Sequence, residues 1–194
     1  MLKLAFAAVT IAALATVPAT AVSVVGATRV VVTSAIPTWI QVAELQAFQF
    51  GTGTNVALAS NGGVATSSSV YAGVAFPGFA NDGIAPNSYP NIFHSGSPGA
   101  GEFLQIAFAA PANLTSLTIY GRSDCCTERD LFNVQIFNAV GASLYSGVLD
   151  ARGVAATVNF DAPSVPEPAV WTLMIGGFGL TGAAMRRRTA LAAA

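Results

Sequence analysis

The sequence predicts an all-β fold, an antiparallel β-sandwich of the jelly-roll kind, flanked by an N-terminal signal helix and a C-terminal transmembrane helix. Residues 22–165 of the 194 carry seven short runs rich in Val, Ile, Phe and Thr. Several alternate apolar and polar residues with the period of two that a half-buried strand requires. Turn-forming clusters at Asn61-Gly62-Gly63, Asn81-Asp82-Gly83 and Val140-Gly141 separate them, and no apolar stripe at helical spacing competes. An uncharged apolar stretch near each end accounts for the two flanking helices.

From the N-terminus, Met1-Leu2-Lys3 is a short basic region and Leu4 to Leu14 an apolar one. Ala19-Thr20-Ala21 offers the small-x-small pattern that signal peptidase cuts. Residues 1–21 therefore read as a signal peptide cleaved after Ala21, and the protein as one exported through the Sec machinery. The expected strands follow at 28–33, 39–50, 102–109, 114–120, 131–138, 143–149 and 154–160. Leu104, Ile106 and Phe108 fall on one face, and Leu117 with Ile119 and Val134 with Ile136 repeat the pattern. The stretch 52–101 is rich in Gly, Ser, Asn and Pro, and long connections of that kind gather at one end of a sandwich, where binding surfaces are built. The hydrophobic fraction of 53% is inflated by the two ends and does not indicate a polytopic membrane protein. Between residues 22 and 165, four arginines face eight carboxylates, a net charge of −4. That balance excludes a basic field for nucleic acid or anionic lipid.

Val165-Pro166-Glu167-Pro168 precedes a run of 17 uncharged residues, 169–185, which Arg186-Arg187-Arg188 closes. Seventeen residues is the lower limit of a spanning helix, and a basic cluster after it is held on the cytoplasmic side. The Pro-Glu-Pro triplet, Trp171 and the arginines resemble the PEP-CTERM tail of Gram-negative bacteria in its PEPxxWA variant, a tail also labelled the ice-binding protein C-terminal domain, with Thr172 where the variant carries Ala. The resemblance covers residues 166–190. It implies an exosortase as partner, cleavage near Pro166-Glu167-Pro168, transient residence in the inner membrane, and release or re-anchoring at the cell surface, outer envelope or extracellular matrix.

Of the twelve charges between residues 22 and 165, five lie within Arg122-Ser123-Asp124-Cys125-Cys126-Thr127-Glu128-Arg129-Asp130, together with both cysteines of the chain. In an oxidising compartment these cysteines pair with each other, pair with another molecule, or stay free. The charges alone fit an ion-pair turn as well as a binding site. The block resembles the sugar site of fucolectins, the F-type lectins, within the discoidin or coagulation-factor C-type group of galactose-binding-like jelly rolls. That resemblance implies a vicinal Cys125–Cys126 disulfide packing on a sugar ring, and His94, Arg122 and Arg129 donating to sugar hydroxyls. It also implies a structural Ca2+ held by Asp82 of the Asn81-Asp82-Gly83 loop, by Glu44 and by Asn91.

No catalytic motif accompanies these residues. The chain has one His, no phosphate loop and no metal-ligating His/Cys spacing. A hydrolytic pair drawn from Asp124, Glu128 and Asp130 would have its acid member ionised by the flanking arginines. The sequence thus predicts a non-enzymatic, exosortase-processed surface or matrix protein whose sandwich binds carbohydrate. The alternative is a structural biofilm or exopolysaccharide-matrix component with no specific ligand.

Overall fold

A computed structural model describes residues 22–163 and Ile175. The expected signal helix at 1–21 and, apart from Ile175, the expected span at 169–185 lie outside the described residues. No helix among the described residues is long and apolar enough to cross a membrane.

Residues 22–163 are organised by antiparallel strands. In chain order these are β1 (Val24–Ser34), β2 (Gln41–Val42), β3 (Glu44–Gln49), β4 (Val64–Ser67), β5 (Phe93–His94), β6 (Leu104–Tyr120), β7 (Leu131–Asn138), β8 (Ser143–Asp150) and β9 (Ala155–Asn159). The 17-residue β6 is the spine. Its first half pairs with β1 and β4, its second half with β3 and β9, and the sheet continues from β1 through β7 to β8. The alternation read from the sequence is the alternation that is buried. Val30 and Val32, Leu104, Ile106 and Phe108, Leu117 and Ile119, and Phe132, Val134 and Ile136 all point into one core. Each such side chain contributes roughly 1.5–3 kcal/mol relative to exposure.

Three departures from the expected strands have physical causes. The runs 102–109 and 114–120 are one strand, because the ladder to β1 is irregular between the Ala107–Arg29 and Ala112–Ala27 pairs. Pro111, which has no N–H to donate, sits in that irregularity and does not end the strand. The run 39–50 is divided at Ala43, where the chain changes partner. Gln41 and Val42 pair with β5, whereas Ala43 donates to the Tyr120 carbonyl at 2.9 Å and β3 continues along β6. The short strands β4 and β5 carry no run long enough to stand out. Long-range pairing makes them strands, and β5 places His94 beside Gln41.

Candidate functional site

Six side chains enclose a cleft of about 370 Å3: Trp39, Tyr71, Tyr89, His94, Arg122 and Arg129. They come from four separate parts of the chain. Trp39 precedes β2 and is held beside β5 by reciprocal bonds, Ile40 N–H to Ser95 Oγ and Ser95 N–H to the Ile40 carbonyl, both 3.0 Å. His94 ends β5. Tyr71 and Tyr89, like His94, come from the long 52–101 connection, which thus supplies half of the cleft wall. Arg122 and Arg129 flank the cysteine loop that leaves β6.

That loop is closed by a buried carboxyl. Asp130 is fully buried, and its Oδ2 accepts the Arg122 backbone N–H at 2.9 Å. Gly121 packs so closely on this carboxyl that a Cβ there would collide with it. The far side of the loop is tied down by Ser123, whose N–H and Oγ both donate to the Asn87 carbonyl, at 3.1 and 2.9 Å. Thr127–Arg129 form a short 3-10 turn. Within this frame Asp124 grips Arg122 through two parallel bonds, Nε to Oδ1 at 2.6 Å and Nη2 to Oδ2 at 2.8 Å. The pairing holds the Asp124 carboxyl below its usual range. Each guanidinium also lies over an aromatic ring, Arg122 over Tyr89 at 5.5 Å and Arg129 over Trp39 at 5.0 Å. Tyr71 meets Tyr89 edge-on at 6.1 Å and His94 at 4.5 Å between centroids.

His94 is in the wall, and its two nitrogens are already used. Nδ1 is 2.8 Å from the Ser95 carbonyl, so Nδ1 carries the hydrogen, and Nε2 accepts from Gln41 Nε2 at 3.0 Å. Burial holds its pKa below the ordinary value, and the charges of Arg122 and Arg129 push it the same way, while the Ser95 bond opposes them. The ring is neutral, and what it presents to the cleft is surface, without a free donor. Cys125 and Cys126 are bonded to each other and half-buried, next in the chain to the cleft but outside its six-residue wall.

The three cation candidates lie elsewhere. Glu44, fully buried at the start of β3, accepts the Gly83 N–H on Oε2 at 3.2 Å, and its Oε1 has no partner. Burial pushes its pKa up to about 7; the Gly83 bond lowers it and the neighbouring Asp82 charge raises it. Asp82 itself is exposed and accepts the Ile84 N–H at 2.9 Å. Asn91 is exposed and lies two residues before β5, with its N–H donating to the Ser88 carbonyl at 2.9 Å. Among the described residues no three His, Cys, Asp or Glu side chains converge on a point. The Glu44 carboxylate, with its unpartnered Oε1, and the neighbouring Asp82 carboxylate fit a hard cation, provided that carbonyls and water complete the shell.

Trp39, Tyr71, Tyr89 and Gln41 were not among the residues expected to form the site. Their signal in the sequence was weak: two tyrosines in a Gly/Ser/Pro-rich stretch and a Trp at the edge of a strand, none of them in a motif.

Asp130 is also pushed up to about 7, mainly by burial, and it has an unpartnered Oδ1. Between the ordinary carboxylate range and about pH 7 the folded state therefore binds protons that the unfolded chain has released. The stability linked to Glu44 and Asp130 is present at the acidic side of that window and is lost as pH rises to about 7. Thermal melts in chelator should give a higher Tm at about pH 5 than at about pH 8. Glu44→Gln and Asp130→Asn should flatten that profile, and a Tm that climbs across the window would contradict the assignment.

Residues 164–188 match the PEP-CTERM protein-sorting motif. Neither a curated protein nor a solved structure matches the chain at a significant level. The matched segment lies C-terminal to the domain that builds the cleft. It marks the chain as an exosortase-targeted exported protein with a cell-surface or extracellular destination.

Proposed function

We propose that this is a carbohydrate-binding protein of the cell surface or extracellular matrix, whose cleft takes a glycan and whose two ends serve export and sorting. The observation that carries the reading is the convergence of two ring-stacked arginines with three aromatic side chains in one cleft of about 370 Å3, within the range of small-ligand sites. A sugar ring has apolar C–H faces and a rim of hydroxyls. Aromatic walls suit the former, and a guanidinium fork, all donor and no acceptor, suits adjacent hydroxyls. The Arg/Cys block, the antiparallel strands and the loops gathered at the cleft support a galactose-binding-like jelly roll of the discoidin or fucolectin kind. Binding is favoured over catalysis because Asp124 is engaged by Arg122, and Asp130 is buried behind the loop.

Calorimetry against fucose, galactose and bacterial polysaccharide tests the reading. Arg122→Ala or Arg129→Ala should weaken binding by about 1.5–3 kcal/mol, enough to lose a shallow monosaccharide site. His94→Ala should cost less, since both of its nitrogens serve the protein itself. Absence of binding by the unaltered protein would assign it to the class of ligand-free structural matrix components.

A structural Ca2+ held by Glu44 and Asp82, with Asn91 and carbonyls completing the shell, would supply charge that satisfies the Glu44 Oε1 and fixes the loop next to β3. Added Ca2+ should raise Tm in the unaltered protein and leave Glu44→Gln unmoved. An equal rise in both would place any bound ion elsewhere.

Export through Sec, removal of residues 1–21 by signal peptidase and exosortase cleavage near Pro166-Glu167-Pro168 complete the reading. Mass spectrometry of the surface or secreted form should find no peptides from residues 171–194. Their presence there would mean that the tail is retained as an anchor.

A further inference from the structure

The two arginines of the cleft differ in how much of their charge is already answered. Arg122 is held by Asp124 through a bidentate pair, the strongest geometry available to it. The closest acid to Arg129 is Glu128, 3.5 Å from Nε, too long for a good hydrogen bond, and the Glu128 side chain is 71% exposed. A pair of that kind is largely screened by water. The Arg129 Cζ lies over the Trp39 ring, 5.0 Å from its centroid, and the Nη edge has no hydrogen-bond partner among the described residues.

Nothing else in the wall competes for that edge. None of the six lining side chains is a carboxylate. His94 accepts from Gln41 and donates to Ser95, so it offers the cleft neither an acceptor nor a charge. Asp130 lies behind the loop with one oxygen committed to the Arg122 N–H. The domain as a whole is acidic, and the two arginines share their loop with Asp124, Glu128 and Asp130, so no net positive field draws a ligand in; what the cleft offers an anion is the unpartnered Nη edge of Arg129 itself.

Resting on the glycan-binding reading, we infer that the sugar unit taken by this cleft carries a carboxylate, as a uronic acid does, and that Arg129 receives it through two parallel N–H bonds. Arg122, neutralised by Asp124, serves hydroxyls. The occupant is then an acidic polysaccharide or its chain end, and Arg129 is the residue that separates it from the neutral sugar of the same ring.

The test compares glucuronate, glucose and acetate by calorimetry on the exported protein as isolated from its cells, at low and at high salt. Glucuronate should bind about tenfold more tightly than glucose at low salt, the difference expected for one strong charge-assisted contact. Salt should erode that advantage. Arg129→Gln should bring the ratio close to one, and Arg129→Lys should keep part of it, because Lys retains the charge and loses the fork. Circular dichroism checks that the variants fold; if they do not, the salt dependence of the unaltered protein decides alone, and a preference insensitive to salt overturns the inference. Equal binding of glucose and glucuronate overturns it too, while leaving the glycan reading intact. Acetate binding as tightly as glucuronate overturns it in favour of simple carboxylate capture. No binding of any sugar or polysaccharide overturns the glycan reading and this inference together.

Discussion

The buried carboxyl of Asp130 is the contact on which the cleft depends. Its side chain accepts the Arg122 N–H, its carbonyl accepts the Ala151 N–H, and its own N–H reaches the Thr127 carbonyl. One residue thus joins the start of the cysteine loop, its final turn and the end of β8. Burying a carboxyl is costly, and here the cost is visible as a pKa near 7 and an oxygen with no partner. A simpler residue would fill the space, but one without an acceptor would leave the Arg122 N–H at the start of the loop unmet. Gly121 shows how tight the arrangement is, since only a residue without Cβ lets the backbone pass Asp130.

Backbone strain gathers around the same place. The non-glycine residues with positive φ among those described are Ala72, Cys126 and Val154, at 49°, 62° and 91°. Ala72 follows Tyr71 in the cleft wall, Cys126 lies between the two arginines, and Val154 offers its carbonyl to the Gly121 N–H at 2.9 Å. Such conformations cost on the order of 1–3 kcal/mol each and persist only where the surroundings over-determine them. The result is a site with little freedom left to lose. Both guanidiniums are seated on rings, and Arg122 is pinned in addition by Asp124, so a ligand would meet donors already in place.

What could be read from the sequence was what local pattern controls. The strand Leu131–Asn138 was expected residue for residue, because Phe132, Val134 and Ile136 alternate cleanly with Asn133 and Gln135. The arginine–cysteine block was visible because its charges stand out in an otherwise charge-poor domain. The gap left between the runs 102–109 and 114–120 was not a strand boundary, because the chain carries its pairing across an irregular stretch of the ladder in which Pro111 sits. Trp39, Tyr71 and Tyr89 were hidden for a different reason. Their positions follow from bonds between distant segments, Ser95 to Ile40, Gly96 to Ser69 and Ser123 to Asn87, and no local pattern encodes those. The vicinal cysteines were legible as a pair, whereas their place beside the six-residue wall and outside it depends on how the loop folds.

The path of β9 relates the cleft to the sorting motif. Ala155 pairs with Tyr120, immediately before the arginine loop, and Asn159 pairs with Ser116, four positions away along the ladder. At about 3.3 Å per residue, the chain has travelled roughly 13 Å from the loop end of the sheet when it leaves β9. Phe160 then bonds to the Thr115 carbonyl, and Asp161 donates to the carbonyl of Val22. The first described residue and the last strand's exit therefore lie together at the opposite end of this ladder from Gly121. The matched sorting motif begins at residue 164, so the segment recognised for sorting is attached at that end. The chain thus reaches the start of that motif on the side of the ladder away from Gly121, the residue before Arg122.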